Sequence, residues 1–303
     1  MSNLVFLTGD FCSGSTLVFT LFRKTEHYYC LYEPLHEKLR EYLFYGPRAE
    51  RQDHHFFIEN DYYREFRGLD QAAALFDPSW GVRDLHLPRD VAADAFYRYF
   101  AYLIGSAFGR SPRVVLKENR MPFRLAWFKA NFPQAKIVHV YRRREDQWKS
   151  IVRRVQGFLG TEEVGQGSVD FAGFSIARWC DDLAPQFPQL AACNSKTGEE
   201  RFAKLWELSY EANRASADVS VAYHDLLTAF EPTWTQICEA VEMPPVDIEV
   251  LKRFVVTPDK QASLLAAGYG KLSPVGVLTD RLRRKSARMR VRLQNGWRAS
   301  RAR

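Results

Sequence analysis

No stretch of this chain reaches 18 unbroken apolar residues, so no helix able to span a bilayer is expected. Its first residues, Met1-Ser2-Asn3, carry no basic side chain, and the apolar run 4–7 is too short for the core of a signal peptide. No targeting segment is read there. Cysteine is sparse: five residues, Cys12, Cys30, Cys180, Cys193 and Cys238, odd in number and without CxxC spacing. That argues against a disulfide framework and fits reduced thiols in a cytoplasmic protein. The seven histidines show neither HExxH nor any paired-ligand spacing, so no metal is expected. Internal repeats and low-complexity linkers are lacking too.

What the C-terminal segment lacks is acid. Residues 281–303 hold ten Arg and Lys and no Asp or Glu, while the other 280 residues hold 33 basic and 36 acidic side chains, a net of −3. The formal charge of +7 therefore belongs to a tail. The body is not the broadly basic surface that nucleic acid selects, and no nucleic-acid partner is expected. From 275 to 297, Val275, Leu278, Leu282, Met289, Leu293 and Trp297 recur at helical spacing, with arginines between them. Two readings of this basic helix stay open. It lies on an anionic membrane surface, peripheral to the inner leaflet, or it packs on the body with its arginines solvated.

Of the 303 residues, 46% are hydrophobic and 14% aromatic, enough for a sizeable core in one large domain with a smaller appendage. Short apolar runs at 3–8, 28–33, 113–118, 136–142 and 219–223 read as strands. Helical patterns follow residue 15 and fill 90–108, 122–132, 144–157, 171–187, 198–217, 232–242 and 247–255. Residues 36–82 show weak periodicity and read as a helix or two plus loops. Strands alternating with helices imply an α/β fold, a three-layer sandwich with a central parallel sheet.

Between the first strand and the first helix stands Gly9-Asp10-Phe11-Cys12-Ser13-Gly14-Ser15-Thr16. A glycine-containing turn feeding a helix presents backbone N–H groups to a phosphate, and Ser13, Ser15 and Thr16 add hydroxyl donors. The plainer reading is a serine-capped helix after an ordinary turn. The spacing is that of a P-loop, but Ser15-Thr16 stands where a nucleotide triphosphatase needs Lys-Ser/Thr. No apolar run ends in a metal-holding aspartate either. Hydrolysis of ATP or GTP is therefore disfavoured.

The segment TGDFCSGSTL resembles the 5′-phosphosulfate loop of sulfotransferases that use 3′-phosphoadenosine 5′-phosphosulfate (PAPS). YYCLYEPLHE is similar to the second-strand region of the Golgi-type carbohydrate enzymes, and KIVHVYRRREDQWKS to the family's 3′-phosphate motif. VAYHDLL resembles a later Tyr-x-Asp-Leu-Leu stretch, so the likeness runs in family order from residue 4 to about 245. The resemblance implies PAPS as co-substrate, no metal, and a hydroxyl-bearing acceptor, with a glycan or glycolipid favoured. It places Gly9, Cys12, Ser13, Gly14, Ser15 and Thr16 at the 5′ end of the donor and Arg142 and Ser150 at its 3′-phosphate. Lys271, beside Gly268 and Gly270, is a candidate to close over the nucleotide.

One position departs from the family. Where its members carry Arg or Lys in the loop, this chain has Cys12. A thiol supplies no fixed positive charge to a leaving phosphate, so a small, partly buried side chain is the expectation there. The substitute cation is Lys117, at the end of the strand RVVLKE, on the rim where parallel sheets hold ligands. Glu33, closing the second strand, is the candidate base for the acceptor hydroxyl; a salt-bridged or capping role is its bland alternative. His36 is a weaker candidate, and His86 in LHLP matches the family's histidine only by chance.

The sequence thus yields an O-sulfotransferase over 1–275, with 36–110 as an acceptor-side insertion, and a basic tail at 276–303. Two rivals stay open: a P-loop kinase-like enzyme, and a sulfotransferase-fold module that binds nucleotide but lost turnover with the change at Cys12.

Overall fold

The computed structural model of the protein describes residues 3–37, 39–40, 62–159, 170–171, 174–191 and 198–255, all within one compact unit, Met1–Gln52 with Phe57–Val255. Strands β1 (Asn3–Thr8), β2 (Tyr29–Tyr32), β3 (Arg113–Glu118) and β4 (Ala135–Tyr141) appear where the apolar runs predict them. A two-residue antiparallel pair, β5 (Asp170–Phe171) and β6 (Phe174–Ser175), stands apart, and β7 (Val219–Ala222) completes the main sheet. That sheet has the order β2-β3-β1-β4-β7, and every neighbouring pair is parallel. A parallel sheet covered on both faces needs unbroken apolar strands, and Leu4, Val5, Phe6 and Leu7 of the central strand are all fully buried.

Helices flank the sheet. Ser15–Lys24 forms α1, whose last turn carries Arg23 and Lys24, the charges that a helix C-terminus favours. Asp94–Phe108 forms α2; its buried residues Phe96, Tyr99, Phe100, Leu103, Ile104 and Ala107 trace one helical face. Phe6 of β1 packs on Phe128 of α3 (Leu125–Asn131) with ring centroids 4.4 Å apart. Further on come α4 (Arg144–Leu159), α5 (Ile176–Leu183) and α6 (Gly198–Ser216). The unit closes with α7 (Tyr223–Thr228), α8 (Phe230–Ala240) and α9 (Ile248–Lys252).

Apolar packing divides in two. The main core fills both faces of the sheet. A second cluster gathers Phe11 of the loop with Phe123, Ile151, Trp179, Leu183 and Phe202, mostly from α4, α5 and α6. Aliphatic and aromatic burial here pins the tip of the loop to a body outside the sheet.

Two elements differ from expectation. The helix read over 171–187 is instead the β5–β6 pair, then α5, then a single turn at Pro188–Ala191. Phe171 and Phe174 are strand-favouring, and Pro188 cannot continue a helix. Tyr223–Thr228, read as a strand end and a connection, is helical. Residues 41–61 of the acceptor-side insertion, Lys271 and the tail at 276–303 lie outside the described residues.

The sheet order sets the site. The chain leaves β1 toward β2 on one side and leaves β4 toward β7 on the other. Neighbouring strands whose connections diverge open a crevice at their carboxyl ends, where ligands of such sheets bind. The loop after β1 and Arg142 after β4 border that crevice.

Candidate active site

Residues 9–14 turn sharply between β1 and α1. Cys12 (φ 64°) and Gly14 (φ 97°) both occupy the left-handed region, and the Ser13 amide donates back to the Asp10 carbonyl at 3.1 Å. Space is as restricted as φ. A Cβ on Gly9 would lie 2.3 Å from the Val140 carbonyl oxygen of β4, and one on Gly14 would lie 2.1 Å from the Tyr223 ring. Gly14 is also the N-cap of α1, so the cap residue offers no side-chain bond; the Ser15 amide makes a long contact of 3.4 Å to the Ser13 hydroxyl, and the first turn holds no acid. Backbone N–H groups at such an end are open to an anion.

On one side of the loop lies a buried charge cluster. The backbone bends at Glu33 (φ 40°), where its amide donates to the Lys117 carbonyl at 2.7 Å. This turn brings the Glu33 carboxylate onto the Lys117 ammonium in direct contact. Asn119 Nδ2 donates to the same oxygen at 3.1 Å, and Arg120 donates to the other at 3.3 Å. Arg120 also reaches Glu37 and Glu118, each at 3.1 Å. Lys117 and Arg120 are fully withdrawn from water, and the Lys117 ammonium sits 4.6 Å from the centre of the Tyr32 ring. Tyr32 in turn meets Thr16 of the loop through hydroxyls 3.3 Å apart.

The electrostatics follow from this geometry. Burial pushes the Glu33 carboxyl up, but Lys117, then Arg120 and His36, outweigh burial and hold it well below the usual carboxylate range. Burial pushes Lys117 below its ordinary value despite Glu33 and Glu118. Glu33 is therefore an anion at neutral pH. A charge pair of this kind survives burial because hydrogen bonds satisfy its remaining lone pairs.

On the other side of the loop, Asp10 has one hydrogen-bond partner for its carboxyl among the described residues, the Ser209 hydroxyl of α6 at 2.6 Å. Burial raises its pKa from 3.8 to about 7, with the Ser209 bond opposing. Nearby, Gln147 donates to the Phe11 carbonyl at 2.9 Å and accepts from the Trp206 indole at 3.1 Å, which fixes the loop backbone to α4 and α6. Trp206 stacks on Tyr210, with planes 7° apart.

Across the crevice, the Arg142 guanidinium lies 5.2 Å from the centre of the Tyr223 ring. No carboxylate pairs with Arg142 among the described residues, whereas Arg144 is taken up by Glu145 and Glu207. Tyr223 thus touches the space over Gly14 on one side and Arg142 on the other. Ser150 lies two turns into α4, half-buried.

The structure brings Gly9, Cys12, Ser13, Gly14, Ser15, Thr16, Glu33, Lys117 and Arg142 to one rim of the sheet. It also supplies what the sequence reading missed. Asn119 and Arg120 follow β3 directly, and their partners Glu33 and Glu37 lie more than eighty residues earlier in the chain. Tyr223 lies inside VAYHDLL, where nothing local marks it as a site residue. The expected plain packing of Cys12 agrees with its half-buried place against the second cluster. Among the described residues no group of three or more His, Cys, Asp or Glu could hold a metal ion. No described helix is long and apolar enough to cross a membrane.

Compared with known proteins, the chain matches one family model, described as the Sulfotransferase family, over residues 5–247. No curated protein matches it.

Proposed function

The chain belongs to the sulfotransferase family, and from that premise we propose that it transfers a sulfuryl group from PAPS to a hydroxyl of a carbohydrate or glycolipid acceptor. One observation carries the reading. A helix N-terminus with no side-chain bond from its cap residue, a buried Glu33–Lys117 pair and an Arg142 that pairs with no carboxylate among the described residues border the same crevice. The residues fit a donor with negative charge at both ends. The Gly14 cradle leaves room for an oxygen where any Cβ would collide with Tyr223, and Arg142, held over the Tyr223 ring, offers its guanidinium to a second phosphate. When bound, PAPS supplies the activated sulfuryl group and a phosphate as leaving group.

The chain's own residues do the rest. Backbone amides of the loop, with the hydroxyls of Ser13, Ser15 and Thr16, hold the 5′ end. Lys117 balances the charge that grows on the leaving phosphate, the office the thiol of Cys12 cannot perform. Glu33, anionic at neutral pH, takes the proton of the acceptor hydroxyl as the oxygen attacks. For this, Lys117 swings from Glu33 toward the donor, which frees the carboxylate. Arg142 and Ser150 grip the 3′-phosphate, and Tyr223 supports Arg142. The glycan or glycolipid class rests on the likeness of LYEPLHE to carbohydrate enzymes.

Calorimetry with adenosine 3′,5′-bisphosphate, beside ATP, tests the donor. Saturable binding of the bisphosphate and none of ATP is expected, and the reverse order transfers the case to a kinase-like enzyme. Transfer of labelled sulfate from PAPS into a cell extract then identifies the acceptor.

A further inference from the structure

Asn119 links the loop to the buried carboxylate. Its side chain is buried, with Oδ1 accepting from the Ser15 hydroxyl at 3.3 Å and Nδ2 donating to Glu33 at 3.1 Å. Chemistry fixes this orientation. An ionised carboxylate only accepts, so the amide NH₂ faces Glu33 and the amide carbonyl is left for the serine. The backbone is anchored as well, since the Asn119 amide donates to Glu118 at 2.8 Å.

The Ser15 hydroxyl carries one hydrogen. It serves Asn119 or an anion held at the start of α1, not both. Turned toward an anion, the serine presents lone pairs to Asn119 Oδ1, and one end of the bridge becomes repulsive. We propose that Asn119 is a positioning residue that couples occupancy of the loop to the reactivity of Glu33. With the loop empty, the amide ties Glu33 down. When a phosphosulfate claims Ser15, the amide is released and Glu33 loses one donor at the moment a base is needed. The inference rests on the reading of Glu33 as proton acceptor.

Among the described residues, the other charged groups around Glu33 are Lys117 and Glu118 from β3, Arg120 just after it, and His36 and Glu37 after β2. Arg120 is shared among three carboxylates and His36 lies beside Glu37, so neither replaces a lost amide donor. A carboxylate stripped of a hydrogen-bond donor binds its proton more tightly.

The test uses the full chain, PAPS and water as acceptor, with sulfate release followed from the lowest pH at which the protein stays folded up to about pH 9, because Glu33 is held below the usual carboxylate range. For Asn119→Ala we expect a KM for PAPS within about threefold and the acid limb of kcat/KM, which reports the free enzyme with the amide still on Glu33, displaced to higher pH by about half a unit or more, while the limb at saturating PAPS, where the natural protein has already released the amide, stays in place. Asn119→Asp is isosteric, keeps the acceptor for Ser15 and sets a second carboxylate against Glu33; its kcat/KM limb moves further in the same direction. The double variant Ser15→Ala/Asn119→Ala is no slower than the slower single variant, because both cut the same link. An unmoved acid limb of kcat/KM, or multiplying losses in the double variant, makes Asn119 a purely structural residue. Wild-type protein that binds the bisphosphate and releases sulfate while the kcat/KM limb of Asn119→Ala stays put overturns the link alone. Wild-type protein that binds no bisphosphate overturns the donor reading, and the link with it.

Discussion

Glu33 and Asp10 stand on either side of one loop, and burial pushes both toward the neutral acid. Their partners then send them opposite ways. Glu33 receives hydrogen bonds from Lys117, Asn119 and Arg120, delivered by the segment that ends β3. Asp10 has the Ser209 hydroxyl, and nothing charged pairs with it among the described residues. The Ser209 oxygen also contacts the Trp206 carbonyl at 3.2 Å. A hydroxyl has one hydrogen, so both contacts are satisfied together only if Asp10 carries its own proton and donates it. Burial alone does not decide whether a carboxyl is charged; the supply of donors does. The β2–β3 side of the loop is built to keep charge, and the α6 side to remove it. An anion bound in the loop gains from both, since a neutral Asp10 does not repel it.

The heaviest blow to this contrast is Glu33→Ala. It leaves Lys117 and Arg120 buried without the carboxylate they share, an expected loss of about 3–5 kcal/mol, read from urea unfolding. Sulfuryl transfer falls by about 10²–10⁴ in the same variant. Unchanged stability would mean that water already screens these cations, and the two sides of the loop would no longer differ.

Asp10→Asn comes next and sharpens the other side. The folded protein holds the Asp10 proton up to about pH 7, against 3.8 for the ordinary group. Below the lower value both folded and unfolded chains are protonated. Between the two values only the unfolded chain gives up its proton, so natural stability falls as pH rises through this window and levels off above it. The loss is on the order of 4 kcal/mol. Asparagine has no such window, so the stability gap between variant and natural protein should change steadily from about pH 4 to 7 in favour of the variant. A flat difference would show that Asp10 is ionised at neutral pH like any exposed acid.

How far the sequence carries is set by the range of the interactions. Strands β1, β3 and β4 are legible because a doubly covered parallel strand must be continuously apolar. The loop is legible because glycines at 9 and 14 are demanded by close approaches. Arg120 is not legible: its three carboxylates, Glu33, Glu37 and Glu118, come from two segments about eighty residues apart. The Asp10–Ser209 pair spans a separation of 199 residues. Tyr223 fails for a local reason as well, since an aromatic residue at the end of an apolar run favours the strand, whereas here it opens a helix. What pattern misses here is contact between distant segments, which is also where the charge states are fixed.

Arg142→Ala probes the rim beyond both carboxylates. Losing a charged hydrogen-bond partner removes about 1.5–3 kcal/mol, a rise of roughly 10- to 100-fold in Kd for adenosine 3′,5′-bisphosphate. Adenosine 5′-phosphate, which lacks the second phosphate, should bind natural protein and variant alike. Equal losses for both nucleotides would assign Arg142 to the 5′ end or to holding Tyr223.

The smallest expected change is at Cys12, where the two sides of the loop meet. Its backbone already bears the left-handed φ of 64°, and its side chain packs against the second cluster, so an arginine there must reach past that cluster into the crevice. If Lys117 is the working cation, Cys12→Arg adds a second one beside it and raises sulfate release from PAPS by about tenfold or less. A larger gain, from an inert natural protein to an active variant, would show that Lys117 remains locked to Glu33 with the donor bound. The charge cluster would then be a structural brace, and the chain a nucleotide-binding module whose chemistry ended with the loss of one cation.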